Sequence, residues 1–114
     1  MQPIELSCTQ IDAQQVRVNL WLQPSLLWFQ GHFAGLPGVA QIDWAIRYGC
    51  QLLATDYVFS GIERVKFQQP LLPGIRITLQ LHWRPAHQLL IFSYLRGVQR
   101  SESIASSGKI QLCR

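Results

Sequence analysis

The chain is expected to fold as an α+β domain in which a curved antiparallel sheet wraps around one long buried helix. Three observations carry that expectation. The run VAQIDWAIRYGCQLLA, Val39 to Ala54, is apolar at helical spacing through Val39, Ile42, Ile46, Gly49 and Leu53. Most of its other positions are apolar too, which marks a helix buried on nearly every side. Segments of period two flank it, and those that follow are bunched rather than alternating with further helices, which argues α+β over α/β. A helix covered all round needs a sheet curved enough to enclose it.

Each element has its own justification. In VRVNLWL, Val16 to Leu22, the residues Val16, Val18, Leu20 and Leu22 share one face, as in a half-buried strand. Pro24 and Ser25 break that strand. Pro37 and Gly38 precede the helix, and Thr55 and Asp56 end it. Tyr57 to Phe67 runs into a second Pro/Gly stretch, QQPLLPG, from Gln68 to Gly74. The alternation is clearest in IRITLQLHW, where Ile75, Ile77, Leu79, Leu81 and Trp83 face one way and Arg76, Thr78, Gln80 and His82 the other. Arg84 to Gln88 reads as a turn and Leu89 to Leu95 as the returning strand, which makes a hairpin. After Gly97 a last strand is expected over Ser103 to Leu112, with Gly108 as a candidate bulge. No repeat, low-complexity segment or linker interrupts the chain, so residues 1–114 are expected to form a single domain.

The composition bounds the function. The 114 residues suffice for one core. They are 48% hydrophobic and only 14% charged, where about a quarter charged is usual. Such a balance points to apolar surface covered by another subunit. The net charge of +4 comes without a long run of like charge, which excludes a nucleic-acid-binding arm and suits an acidic protein or anionic ligand. Cys8, Cys50 and Cys113 are odd in number and lack C-x-x-C spacing, so a reducing compartment is expected rather than a disulfide framework or a zinc site. The opening MQPIELSCTQID lacks the order of a signal peptide, and no apolar run approaches the roughly 20 residues of a membrane span. A soluble cytoplasmic protein is the expectation.

Chemistry concentrates in WFQGHFAGLPGVAQID, Trp28 to Asp43. Its GHFAG–LPGV–Asp pattern resembles the active-site motif of the hotdog-fold (3R)-hydroxyacyl-[acyl-carrier-protein] dehydratases of the FabA/FabZ type. Gly31, His32, Phe33 and Gly35 match the first half of that motif; Pro37, Gly38, Val39 and Asp43 match the second, with the carboxylate four positions after the valine. VKFQQPLLPG, Val65 to Gly74, is similar to the strand and turn that follow the helix in that family. The wording PGVAQIDWA looks nearest to the ApeI-like dehydratases of aryl-polyene lipid clusters. As pattern and element order the resemblance extends from Val16 to Leu112. Three departures stand out: Ala34 replaces a usual proline, Arg47 stands where glutamine is frequent, and His32 lies eleven rather than fourteen positions before Asp43. Three residues are therefore missing between Gly35 and Leu36.

Eliminating water from a β-hydroxyacyl thioester requires a base for the α-proton, an acid for the departing hydroxyl and a donor for the thioester oxygen. A histidine titrating near neutrality can be the base. A carboxyl inside an apolar helix is desolvated, which favours its protonated, proton-donating form. Gly38, at the positive end of the helix, offers a backbone amide to the thioester carbonyl, and its missing side chain lets the acyl chain come close. The resemblance implies that His32 and Asp43 are the catalytic pair, contributed by different subunits of a homodimer. It likewise implies that Phe33, Gly38 and Val39 contact the substrate, an acyl thioester borne by acyl carrier protein, and that no metal or organic cofactor takes part.

Plainer readings stand beside these. Taken alone, Asp43 reads as a solvent-facing helix residue paired with Arg47 at i,i+4, and His32 as a turn histidine. His82 and His87 flank a hairpin turn without spaced metal-binding partners. Trp21, Trp28, Trp44 and Trp83 suit core or interface packing, and Cys50 a small buried hydrophobe. Arg64, Lys66, Arg84, Arg96 and Arg100 are either scattered solvated charges or a rim that meets an acidic carrier. Two further functions remain open: an acyl thioesterase whose carboxylate activates water, and a non-catalytic hotdog subunit that pairs with an active partner.

Overall fold

Six strands and one helix follow one another as β1 (Ile4–Asp12), β2 (Gln15–Trp21), α1 (Gly38–Leu52), β3 (Val58–Phe67), β4 (Arg76–Arg84), β5 (Leu89–Arg96) and β6 (Ser103–Cys113). They come from a computed structural model, which describes residues 3–26, 35–97 and 101–114. All six strands join in one sheet of order β1-β2-β4-β5-β6-β3, antiparallel at every step. The α+β expectation holds, with α1 lying against one face of the sheet over β3, β4 and β5.

The alternation in the sequence explains which face α1 covers. Val16, Val18 and Leu20 of β2, Ile77, Leu79, Leu81 and Trp83 of β4, Leu90, Phe92 and Tyr94 of β5, and Ile110 and Leu112 of β6 are all buried beneath the helix. From α1 itself, Ala40, Trp44 and Ala45 close the core. Each large apolar side chain so buried contributes about 1.5–3 kcal/mol. The expected hairpin joins β4 to β5 without a register slip, through a 3₁₀ turn at Pro85–His87 and a left-handed Gln88 at φ 52°.

Three expectations are corrected. β1 was not among the expected strands: all nine of its residues are exposed, and it is held through its pairing with β2. Gly108 is not a bulge, because it pairs in register with Phe92 on one side and Val65 on the other. The slip in β6 falls beside Tyr94 and Leu95 instead, and Gly108 answers a close approach: a Cβ there would stand 2.7 Å from the Phe92 ring and 2.8 Å from the Arg64 carbonyl oxygen. Nor is α1 buried on every side. Val39, Asp43, Arg47 and Gln51 form an exposed stripe along it. Edge strand β3 is similar: Phe59, Ile62 and Phe67 pair with the buried Leu112, Ile110 and Ser106, yet are 46%, 52% and 51% exposed.

Candidate active site at the helix N-terminus

The turn that feeds α1 is anchored by backbone rather than by a side-chain cap. Pro37, extended at φ −67° and ψ 151°, is the N-cap and makes no side-chain capping bond. Its carbonyl accepts from the amides of Ala40 at 3.1 Å and Gln41 at 3.2 Å. Just before it, the Leu36 amide donates to the Leu71 carbonyl at 2.8 Å, tying the short turn to the loop after β3. Gly35 is needed for that approach, since a Cβ there would lie 3.0 Å from the Leu71 oxygen.

The Gly38 amide has no backbone partner among the described residues. Belonging to the first residue of α1, it stands at the positive end of the helix. Beside it opens a cavity of about 290 Å³, walled by Leu36, Gly38, Gln41, Phe67, Pro70 and the Gln68–Gln69 segment. Gly38 is closed on one side by Phe67, whose ring would stand 2.5 Å from a Cβ at that position. Phe67 was not singled out from sequence; its place in the VKFQQP segment was the available signal.

Gln41, also missed, organises the floor of the cavity. Its side chain, 3% exposed, donates from Nε2 to the Leu36 carbonyl at 3.1 Å and accepts at Oε1 from Ser106 Oγ at 2.6 Å. The Tyr94 hydroxyl donates to the Gln41 backbone carbonyl at 2.6 Å. Burial, and then the neighbouring Tyr48 and Asp43, push Tyr94 well above the usual tyrosine range, so it stays a protonated donor. One side chain thus joins the turn, the first helical turn and β6.

Asp43 lies on the exposed stripe with Val39, which is 68% exposed, and Arg47. Its Oδ2 accepts from Arg47 Nε at 2.9 Å, and the two side chains are 50% and 60% exposed. The plainer reading of Asp43 describes a single chain, and the apolar enclosure expected around its carboxyl is not supplied there. His32 and Phe33, with Trp28 and Arg100, lie outside the described residues. Of the expected site residues, the structure places Gly38 in the cavity wall and Val39 and Asp43 one turn apart on the open stripe.

Elsewhere Trp44 and Trp83 are core residues, Trp21 and Cys50 are half-buried, and burial pushes the Cys50 thiol up. His87 is exposed and His82 half-buried. Among the described residues no three His, Cys, Asp or Glu side chains gather as a metal site, and no helix is long and apolar enough to cross a membrane.

Residues 8–109 match the model of the ApeI-like family, described as ApeI dehydratase. A chain of the dehydratase heterocomplex ApeI:P from Xenorhabdus doucetiae is 45% identical, with a TM-score of 0.90 over 100% of both chains. The 3-hydroxyacyl-[acyl-carrier-protein] dehydratase FabZ of Koribacter versatilis is 37% identical over 49% of this chain and 45% of its own length. FabZ of Nitratidesulfovibrio vulgaris is 32% identical over 69% of this chain and 62% of its own. The chain thus spans about half to three-fifths of the curated relatives it matches. The sheet with its single helix is the hotdog fold that the sequence led us to expect.

Proposed function

The chain belongs to the ApeI-like dehydratase family, and we propose that it removes water from (3R)-hydroxyacyl thioesters carried on acyl carrier protein. The products are trans-2-enoyl thioesters for fatty-acid or polyene lipid synthesis. The observation that carries this reading is the cavity at the start of α1, where the Gly38 amide, without a backbone partner among the described residues, meets the side chains of Leu36, Phe67 and Pro70. The Gly38 amide receives the thioester oxygen as negative charge develops there. His32 takes the α-proton, the α–β double bond forms, and the β-hydroxyl leaves as water with a proton from Asp43. Base, acid and donor complete the elimination, so neither a metal nor an organic cofactor is required. Phe33, Gly38 and Val39 line the acyl chain.

The acid in this scheme comes from a second copy of the chain. Val39, Phe59, Ile62 and Phe67 are 46–68% exposed beside Asp43's helix, a face suited to burial against another hotdog protomer. Covering the stripe would give Asp43 the apolar enclosure that a single chain lacks and set it against the partner's motif. A second reading, in which the partner is a different hotdog chain and this one supports its activity, is favoured by one observation. The 45% identical chain from Xenorhabdus doucetiae belongs to a heterocomplex.

The test offers a β-hydroxyacyl thioester on carrier protein to the purified chain and follows enoyl absorbance. Turnover that falls about 10²–10⁴-fold in His32→Ala and Asp43→Asn supports the homodimeric dehydratase. Thiol release without enoyl product identifies a thioesterase. Silence alone, relieved by adding a second hotdog chain, identifies the supporting subunit.

A further inference from the structure

Among the described residues, Gln41, Thr78 and Ser106 are the buried polar residues other than Tyr94, and Gln41 and Ser106 share one hydrogen bond under the start of α1. Stability does not ask for such a pair, since apolar side chains of the same shape would join helix to sheet about as well. What else Gln41 holds is more telling. It grips the chain on both sides of Pro37. Its backbone amide donates to the Pro37 carbonyl at 3.2 Å, alongside the Ala40 amide at 3.1 Å. Its side-chain Nε2 donates to the Leu36 carbonyl at 3.1 Å. The side-chain amide cannot sit the other way round, because a carbonyl only accepts and must meet the nitrogen end.

The Leu36 and Pro37 carbonyls belong to the two rigid peptide planes that flank Pro37, and the proline ring already fixes φ between them. Gln41 therefore sets the one torsion left, ψ of Pro37, which stands at 151°. The Gly38 N–H is part of the second plane and points opposite to the Pro37 carbonyl. With that carbonyl drawn into the helix, the N–H is turned out of the helix end, where Gly38 lines the cavity. Pro37 makes no side-chain capping bond, so this control comes from Gln41, one turn further on. The grip is also tied to the sheet. Ser106 Oγ of β6 donates to Gln41 Oε1 at 2.6 Å, and the Tyr94 hydroxyl of β5 donates to the Gln41 backbone carbonyl at 2.6 Å.

We infer that Gln41 is a positioning residue for the dehydration, holding the Gly38 amide aimed at the thioester oxygen; the inference rests on the donor role proposed for Gly38 above. A donor fixed in place before charge develops stabilises the transition state without having to reorganise. Turning it aside slows the chemical step and leaves ground-state binding nearly unchanged.

The experiment reads the purified full chain in two ways. A butanoyl thioester of pantetheine, isotopically labelled at its carbonyl, has no β-hydroxyl to lose and so reports on binding alone. Infrared spectra should show its carbonyl stretch lowered on binding to wild type, and Gln41→Leu should lose about half or more of that lowering. With a (3R)-hydroxybutanoyl thioester, Gln41→Leu should fall about 10–100-fold in kcat while KM stays within about twofold. Gly49→Ala, crowded by Leu90 about three turns along the same helix, controls for lost stability and should keep both readouts. Equal lowering of the carbonyl stretch in wild type and Gln41→Leu overturns the inference and leaves the Gly38 donor standing. A fall in kcat that Gly49→Ala matches overturns it as well. An unshifted carbonyl in wild type removes the Gly38 donor itself, and this inference with it. Circular dichroism checks that the variants fold. If Gln41→Leu unfolds, Ser106→Ala, which releases the side-chain amide from β6, must lower kcat about threefold or more at unchanged KM for the inference to stand.

Discussion

Ser106 Oγ donates a 2.6 Å hydrogen bond to Gln41 Oε1 beneath the first turn of α1, where both side chains are buried. Replacing Gln41 by leucine strands the Ser106 hydroxyl and the Leu36 carbonyl at once. A loss of about 2–3 kcal/mol is expected in chemical denaturation. Ser106→Ala should cost about 1 kcal/mol. Because the two share a bond, the double variant should lose less than the sum of the singles.

Two glycines of α1 predict opposite outcomes for the same substitution. At Gly49 a Cβ would collide with the buried Leu90 side chain, so Gly49→Ala should destabilise by about 1–3 kcal/mol. At Gly38 the obstacle is the half-exposed Phe67 ring, which can swing aside. Gly38→Ala should therefore leave the melting temperature within a few degrees while lowering dehydration, because the new methyl and the displaced ring fill the cavity. Phe67→Leu combined with Gly38→Ala should recover part of the turnover.

Asp43→Asn separates structure from chemistry. The Arg47 pair it removes is an exposed i,i+4 contact, worth about 0.3–0.5 kcal/mol. Thermal melts of wild type and variant should nearly coincide while enoyl formation collapses. Coincident melts with undiminished turnover would remove Asp43 from the reaction.

Alkaline stability should report on Tyr48. Burial, followed by Glu5 and Cys8, pushes its hydroxyl up to about 12 from a usual value near 10. The folded chain holds that proton more tightly than the unfolded chain, so the stabilisation is complete below pH 10 and is lost as pH rises through 12. Denaturation midpoints should thus fall between pH 10 and 12, and less steeply in Tyr48→Phe. An unchanged slope in that variant would assign the loss to other groups.

Charge placed on the open β3 face should block self-association. Ile62 is 52% exposed in a single chain, so Ile62→Lys should fold with little loss yet sediment as a monomer. An unchanged dimer would place the interface elsewhere.

Much of this architecture was legible in the sequence because burial imprints a period. β2 buries alternate residues throughout, β4, β5 and β6 do so along part of their length, and their spans were read to within a residue or two. β1 was missed although Ile4, Leu6 and Cys8 alternate with Glu5, Ser7 and Thr9, a short signal that the polar TQID which follows does not sustain. The open stripe of α1 was there to be read, since Asp43, Arg47 and Gln51 recur every four residues as polar positions; Val39 at its head, 68% exposed, is the residue that hydropathy misplaces. Gly38, which lines the cavity, could be singled out from its spacing in the motif; Asp43, singled out in the same way, stands on the open stripe. Gln41 could not be singled out, because its partner Ser106 lies 65 residues away and a glutamine in a helix ordinarily signals surface.

The register irregularities of the sheet are not evenly spread. β2–β4 and β4–β5 pair without a slip, whereas β1 slips twice against β2 and β3 slips twice against β6. The interior pair β5–β6 slips once, beside Tyr94 and Leu95, so both rims are kinked more than the middle. A flat, evenly spaced rim would template any strand that met it and let molecules polymerise without limit. Kinked rims accept only a strand bent to match, so growth of the sheet stops at one selected neighbour and fibrils have no straight edge on which to start.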